Sequence, residues 1–562
     1  MKDVNQLITE HLDIWTSASV KKSGAGRGGG RTVSLHGIHK LRELILELAV
    51  RGKLVPQDER DEPAADLLAR LKDQQANMFT EGVIKKPKPV ARIDASETPF
   101  ELPKNWTWCR VSQLGHDWGQ KVPDTAFTYI DVGAINKEWG LVAEPNVLSA
   151  KEAPSRARKI VRQGTVIYST VRPYLLNIAV ITEEFDPEPI ASTAFAIVHP
   201  FEGVMASYLY RYFRSPTFVS YVEGCQTGIA YPAINDKQFF SGLVPLPPTA
   251  EQHRIVAKVD ELMELCDALE RQAEGSLEAQ QTLVEVCLSA LTGSQTSGGL
   301  SHNWARLEAN FETLFTTEES IDSLEQAIFD LAIKGALVEQ SSEDEPASGF
   351  LSRNTPNWRP DGKERTLPSG WSVCTFGDLG DVTGGGTPSK SNPSFWNGDI
   401  PWVSPKDMKV DYIRDAIDKI TEEAIAGSSA KLIEAGSLLV VVRGMILAHS
   451  FPVAITEVPV AVNQDMKAID LGDLNPAYVL IMMKGMKKEF LSRVDRSTHG
   501  TCKLVSEKLW SVELPIPPLA EQARIVEQVD LLIGICRSLR KQTNASRELA
   551  RCLADTLTTK LH

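Results

Sequence analysis

Long apolar runs are absent from this 562-residue sequence; none reaches the roughly 18 residues that a membrane-spanning helix requires. Its first residues, MKDVNQLITEHLDIW, lack the basic start and apolar stretch of a secretory leader. Eight cysteines are scattered without a CxxC, which argues against a disulfide framework or a thiolate zinc site and reads as small core residues in a reducing cytoplasm. No GxxxxGK[ST] occurs, so a phosphate-cradling P-loop is excluded. An excess of basic charge is missing too: Lys and Arg total 60 against 73 Asp and Glu, a net charge of −13. That balance argues at first against a nucleic-acid ligand. Counted by segment the argument weakens, because residues 101–245 carry 13 basic against 14 acidic side chains and residues 366–515 carry 15 against 18. Most of the acidity lies elsewhere, and a DNA reader this modestly basic needs partners to neutralise phosphates.

What the sequence has is repetition, and internal repeats bound the architecture. Residues 245–272 (PLPPTAEQHRIVAKVDELMELCDALERQ) align without a gap to residues 515–542 (PIPPLAEQARIVEQVDLLIGICRSLRKQ), with 15 of 28 positions identical. In each copy a proline-rich segment that cannot continue a helix precedes one, with Thr249 a suitable cap in the first. An acidic residue, Glu251 or Glu521, stands in the first turn, where the helix dipole favours it. Apolar residues then recur at alternating three- and four-residue spacing: Ile255, Val259, Leu262, Cys266 and Leu269, and again Ile525, Val529, Leu532, Cys536 and Leu539. That is the seam of a coiled coil, and each seam needs a partner.

Two further repeats frame these. Residues 40–64 (KLRELILELAVRGKLVPQDERDEPA) match residues 323–347 (SLEQAIFDLAIKGALVEQSSEDEPA) without a gap, and residues 101–115 parallel residues 366–380 through Leu-Pro, Trp, Cys and Leu-Gly. The spacing predicts a helix over residues 41–54 with Gly52 near its end, and strands at 160–169, 178–182, 437–443 and 453–456. A helix over 250–291 shows a slip in its spacing near Gly275, read as a stutter or break, and the last helix runs through Leu549, Leu553 and Leu557. The glycine tract SGAGRGGGR near residue 25 lacks a preceding strand and reads as a linker. The order is helix, globule, helix, twice over. A duplicated frame around two globules whose interiors barely resemble one another suits a pseudo-two-fold body that presents something different at each end.

These motifs resemble the specificity subunits of type I restriction–modification systems. The resemblance rests on PLPPTAEQHRIV and PIPPLAEQARIV after the globules, LPKNW and LPSGW before them, STVRPYLLNIAV in the first and GGGTPSKSNPSFWNGDIPWVSPKDMK in the second. HLDIWTSA and KLRELILELAVRGKLVPQD are similar to the subclass with an extended N-terminal helical region. The resemblance implies an α+β fold: two mixed α/β target-recognition domains separated by paired long antiparallel coiled-coil helices, with a pseudo-two-fold internal repeat. Its division is an N-terminal helical region (1–100), a first recognition domain (101–248), a central helical spacer (249–365), a second recognition domain (366–518) and a C-terminal helical spacer (519–562). It further implies a non-catalytic subunit of a phage-defence complex that reads a bipartite, asymmetric double-stranded DNA site and docks two adenine-N6 methyltransferase subunits. Through them it would join motor-nuclease subunits. S-adenosylmethionine would sit on the methyltransferase, ATP and Mg on the motor-nuclease, and no cofactor or metal on this chain.

Base reading needs hydrogen-bonding side chains on exposed loops, and phosphates take Arg, Lys or hydroxyl donors. In the first globule the candidates are Thr170, Arg172, Tyr174, Asn177, Thr227, Tyr231 and Asn235, with Arg156, Arg158, Lys159 and Arg162 as a phosphate patch. In the second they are Thr387, Ser389, Lys390, Asn392, Lys406, Lys409, Arg443, His449, Ser497, Thr498, His499 and Lys503. Trp396 and Trp402 read as packing residues. Asn392-Pro393-Ser394-Phe395 approaches the Asn-Pro-Pro-aromatic motif of adenine methyltransferases, but Ser394 replaces its second proline and no cofactor-binding glycine motif accompanies it. His36 and His39 lack a nearby third metal ligand. An autonomous DNA methyltransferase or endonuclease is disfavoured by the missing catalytic motifs, and a protein-only coiled-coil scaffold by the loops that match the family.

Overall fold

The computed structural model describes residues 4–17, 19–22, 31–228, 231–294, 297–355, 358–359, 367–496 and 502–560. The chain forms two compact units, Met1–Ser276 with Ser546–His562, and Leu277–Ala545. Four helices carry the repeats: α1 (His36–Val50), α2 (Thr249–Thr292), α3 (Glu318–Ile333) and α4 (Leu519–Lys560). Each unit therefore holds the first turns of one long helix and the last turns of the other. Among the described residues no helix is long and apolar enough to cross a membrane.

The seams find cover inside their own units. In the first, Ile255, Val259, Leu262, Cys266 and Leu269 of α2 share a buried core with Leu41, Leu44, Ile45 and Leu48 of α1 and with Ala554 of α4. In the second, Ile525, Val529 and Cys536 of α4 share one with Ile321, Leu324, Ile328 and Leu331 of α3 and with Val284, Leu288 and Leu291 of α2, while Leu532 and Leu539 pack at its margin half-buried. Each fully buried aliphatic side chain contributes roughly 1.5–3 kcal/mol, so these faces rather than helix propensity hold the long helices in place.

Of three expectations for the long helices, one is narrowed, one holds and the cap at Thr249 needs correction. Of the stutter or break expected near Gly275, the break is absent, since helix α2 runs through unbroken, and the stutter is present. The buried face of the helix moves from Leu269 to Val284, Leu288 and Leu291, one residue beyond where a strict heptad points, leaving Leu283 at 52% exposure. A straight helix of 3.6 residues per turn drifts off a 3.5-residue repeat in this way. Helix α4 runs through Leu549, Leu553 and Leu557 to Lys560 as expected, with Ala554 and Thr558 inward, Leu557 partly buried and Leu549 and Leu553 exposed. The Thr249 hydroxyl donates to the Gly203 carbonyl at 2.9 Å rather than capping α2, whose first turn starts from the Pro248 carbonyl.

Where each long helix begins, the same residues build the same latch. Glu251 Oε1 accepts from the Gln57 amide at 2.5 Å and its Oε2 from the Trp106 indole at 2.9 Å. Glu521 accepts from Gln340 at 3.1 Å and from the Trp371 indole at 3.0 Å. Gln252 Oε1 takes the Met205 amide and Gln522 Oε1 the Asn475 amide; both Nε2 groups donate back to the proline segment. Arg254 grips Asp61 and Arg524 grips Asp344. Burial pushes the Glu251 and Glu521 carboxyls above their ordinary pKa. Gly52 and Gly335, at φ 65° and 66°, end the framing helices; a Cβ there would stand 2.4 and 2.5 Å from Pro103 and Pro368.

The globules share a topology that their sequences conceal. Entry and exit strands close each into a ribbon, Thr107–Arg110 against Leu243–Leu246 and Ser372–Thr375 against Glu513–Ile516. In the first, an antiparallel sheet runs Ile178–Val180, Val166–Ser169, Phe195–Pro200, Gly115–His116. In the second the same order is Val453–Thr456, Leu438–Val441, Met466–Asp470, Asp381–Gly384, with Tyr412–Ile413 added at the edge. A second sheet in each contains one parallel pair, Phe127–Ile130 with Pro189–Ser192 and Trp396–Val403 with Ala461–Val462. Alternating patterns constrain which side chains face inward, not which residues fill the loops, so the interiors diverge while the order of strands does not.

Candidate nucleic-acid interface

In the first globule strand Val166–Ser169 runs into a turn at residues 170–177. A second loop docks on it: the Arg172 amide donates to the Pro232 carbonyl at 2.8 Å, the Ile234 amide to the Thr170 carbonyl at 3.0 Å, and Val171 bridges Ala233. Thr227 and Ala233 close that loop by exchanging two backbone hydrogen bonds. Arg172 and Leu176 adopt left-handed backbone at φ 47° and 53°, conformations that cost a non-glycine residue energy and that cluster at functional sites. The Arg172 guanidinium lies 5.0 Å from the centre of the Tyr231 ring. Tyr231 is 70% exposed and Tyr174 47%, so this edge carries a cation braced on an aromatic face with two tyrosines open to a ligand.

The second globule repeats the arrangement. Strand Leu438–Val441 is followed by Val442 and Arg443 and then the turn Met445–Ala448. Strand Cys502–Leu504 docks there: Arg443 bridges Lys503, the Gly444 amide donates to Cys502 at 3.0 Å and the Leu504 amide to Val442 at 2.9 Å. Arg443, His449 and Lys503 are exposed, and Arg443 stands 4.0 Å from Asp465. Val171-Arg172 and Val442-Arg443 thus leave equivalent strands at one point of the fold. Ser497, Thr498 and His499 lie outside the described residues.

A glycine-led loop makes the rest of the second edge. A Cβ on Gly385 would stand 1.8 Å from the Asn463 carbonyl oxygen, so the chain passes too close for any side chain there. The Trp402 indole donates to the Gly386 carbonyl at 3.0 Å and the Trp396 indole to the Ser389 carbonyl at 3.1 Å, clamping the loop to strand Trp396–Val403. Lys390, Lys406 and Lys409 are exposed; the Thr387 hydroxyl bonds Gln464, and Ser389 bonds Ser391. Asn392 Oδ1 accepts from the Ser394 amide and hydroxyl, so this asparagine is committed to its own turn.

Several candidates are not free surface donors. Lys159 is 8% exposed with its ammonium 3.0 Å from Asp236, because side chains alternate along strand Ala157–Ile160 and Lys159 faces opposite to Arg158. The four-residue basic patch therefore splits. Arg156 and Arg162 are exposed, the latter 4.0 Å over the Trp118 ring, while Arg158 donates to the Ala157 carbonyl. Thr170 is buried and its hydroxyl serves the Ala194 carbonyl. Asn235 caps helix Asp236–Ser241, and Asn177 is half-buried. Trp139, 74% exposed between strands Ile135–Asn136 and Leu141–Val142, was not among the candidates. Its signal was a tryptophan in the turn KEWG. His36 and His39 sit beside Asp555 and Glu43, and among the described residues no cluster of three or more potential ligands could hold a metal ion.

Residues 368–547 match the family model for the type I restriction modification DNA specificity domain. The EcoEI type I restriction enzyme specificity subunit of Escherichia coli is 32% identical over 598 residues, and that of EcoAI from the same species 31% over 596; each alignment covers 99% of both chains. A chain solved in work on complex assembly and conformational transition of the type I R-M system shares the fold, with a TM-score of 0.51 at 24% identity over 82% of this chain and 99% of that one.

Proposed function

We infer, for a chain that belongs to the specificity subunits of type I restriction–modification systems, a division of labour between two reading globules and a repeated frame. The chain is the DNA-recognition subunit of such a complex, non-catalytic in itself, and acts with the other restriction–modification subunits. Residues 101–248 and 366–518 each read one half of a bipartite, asymmetric duplex site. Residues 1–100, 249–365 and 519–562 form the frame, with the long helices running antiparallel as the spacer. The frame docks two adenine-N6 methyltransferase subunits, which bring S-adenosylmethionine, and through them motor-nuclease subunits, which bring ATP and Mg.

The observation that carries this reading is the recurrence of one Val-Arg turn in two globules of dissimilar sequence, each braced by a later segment of its own chain. Equivalent placement with different neighbours suits two readers of different sequences. Arg is also the side chain best shaped for paired donation to guanine or phosphate. Exposed Arg156, Arg162, Lys390, Lys406, Lys409 and Lys503 supply backbone contacts in this reading, and Tyr174, Tyr231, Thr227 and His449 line the reading edges.

The test is transfer of labelled methyl groups to duplex DNA by this chain alone, by the methyltransferase alone, and by the two together. Adenine methylation at one split sequence in the mixture only is the expected result. Methylation by the chain alone, or the same site chosen by a methyltransferase lacking this chain, would refute it.

A further inference from the structure

The latch contacts of the two framing repeats keep their signs, but one contact between framing helix and long helix does not. In the first unit Arg42 of α1 lies between two acids of α2, its guanidinium 2.6 Å from both Asp267 and Glu270. In the second unit the signs are exchanged: Arg540 of α4 lies 2.8 Å from Asp322 and 3.2 Å from Glu325 of α3. The ungapped repeats make these the same positions, since 42 corresponds to 325, 270 to 540, and 267 to Arg537, while His39 stands one step upstream where Asp322 does. In both units one arginine sits between two carboxylates, donated from the framing helix in one and from the long helix in the other.

The ion pair and the carboxylate contact of the latch, by contrast, do not distinguish own from foreign partners. Asp61–Arg254 recurs as Asp344–Arg524, and Gln57–Glu251 as Gln340–Glu521, with signs unchanged. The seam of α2 is repeated residue for residue in α4. Those contacts leave α4 an acceptable partner for α1 beside α2. The reversed site forbids it. Pairing α1 with α4 would gather Arg42, Arg537 and Arg540 without an acid, and pairing α3 with α2 would gather Asp322, Glu325, Asp267 and Glu270 without a base. Like charges in contact disfavour a pairing that hydrophobic complementarity alone permits.

We propose that this reversed ion-pair site is a pairing code, which makes each framing helix select the long helix of its own unit and prevents exchange of α1 and α3 within a folding chain or between two copies of it. A duplicated frame is otherwise a ready substrate for such exchange.

The test uses the full chain, refolded from denaturant at about 50 mM and about 1 M salt, where the screening length shortens to about 3 Å, with masses read by size-exclusion light scattering. One variant gives the first unit the charges of the second: Arg42→Glu, Asp267→Arg, Glu270→Arg. A second variant adds His39→Asp, Asp322→His, Glu325→Arg, Arg537→Asp and Arg540→Glu, so that the code is exchanged between units but intact. At low salt the first variant is expected to form several-fold more multi-copy species than the wild type, and the second to return to the wild-type level. High salt should raise the wild type toward the first variant. Equal multi-copy fractions in wild type and first variant would overturn the proposal, as would a second variant no better than the first. If the first variant aggregates outright, normal refolding of the second supports the code and its aggregation refutes it.

Discussion

In the first unit the two oxygens of Glu251 each take one donor; in the second, Glu521 Oε1 takes both Gln340 and Trp371, and among the described residues Oε2 has no hydrogen-bond partner. The latches therefore share residues and partners and differ in how the two donors are divided between the carboxylate oxygens. The reading edges share geometry with few residues in common beyond Val-Arg. A latch that satisfies a buried carboxylate needs those side chains, because an orphaned buried charge is costly. A reading edge needs only a strand, a turn and a brace, and leaves its outward side chains free to differ.

The seams differ as well, and substitution at equivalent positions breaks the likeness most. Leu262 is 1% exposed whereas Leu532 is half-buried, and the covering helix carries Leu44 in the first unit where the second has Ala327. Leu262→Asp is expected to cost its unit about 4 kcal/mol or more, from lost packing and a buried unpaired charge. Leu532→Asp should cost roughly half as much, since water still reaches that position. Hydrogen exchange of amides in each unit measures both; equal losses would contradict the difference in cover.

At the reading edges the comparison turns on how free each arginine is. Arg172 is braced on Tyr231, whereas Arg443 has Asp465 within 4.0 Å to offset part of its charge. Arg172→Ala is expected to weaken DNA binding of the assembled complex by about 10- to 100-fold, roughly 1–3 kcal/mol. Arg443→Ala should weaken it less, and Lys159→Ala not at all, because that ammonium is already paired with Asp236. Fluorescence anisotropy against the cognate duplex distinguishes the three. An undiminished affinity for Arg172→Ala would remove the turn from the interface.

What could be read in advance follows the same division. The framing helix ending near Gly52 and strand Val453–Thr456 were legible because periodicity and glycine chemistry are local. The unbroken path of α2 through Gly275 was not: a slip in the apolar pattern marks a rotated buried face as readily as a break, and only the surrounding core tells them apart. Arg172, Tyr174 and Tyr231 were legible as polar or aromatic residues in loops. The loss of Lys159 and Thr170 to internal bonds was not, since each partner lies far along the chain; that of Asn235 was local, a cap accepting from Gln238 three residues on. The common strand order of the globules was hidden as the partner of Lys159 was, since hydrogen-bonded neighbours need not be neighbours in sequence.

The smallest effect separates the two latches by pH. Burial raises both glutamates, so the folded state holds their protons more tightly than the unfolded chain does. The stability each contributes is full below the ordinary carboxylate pKa and is lost as pH rises through the folded value. Glu521→Gln removes that loss and keeps one carbonyl oxygen for both donors, with its new amide group at the unbonded position; it should be near neutral at about pH 4 and slightly stabilising by about pH 7. Glu251→Gln removes the same loss but leaves Gln57 or Trp106 without an acceptor, a cost of about 1–3 kcal/mol at either pH. The stability difference between these two variants should therefore stay nearly constant with pH while each gains on the wild type as pH rises. A Glu521→Gln chain whose advantage does not grow between those limits would show that its carboxylate is not the group that burial penalises.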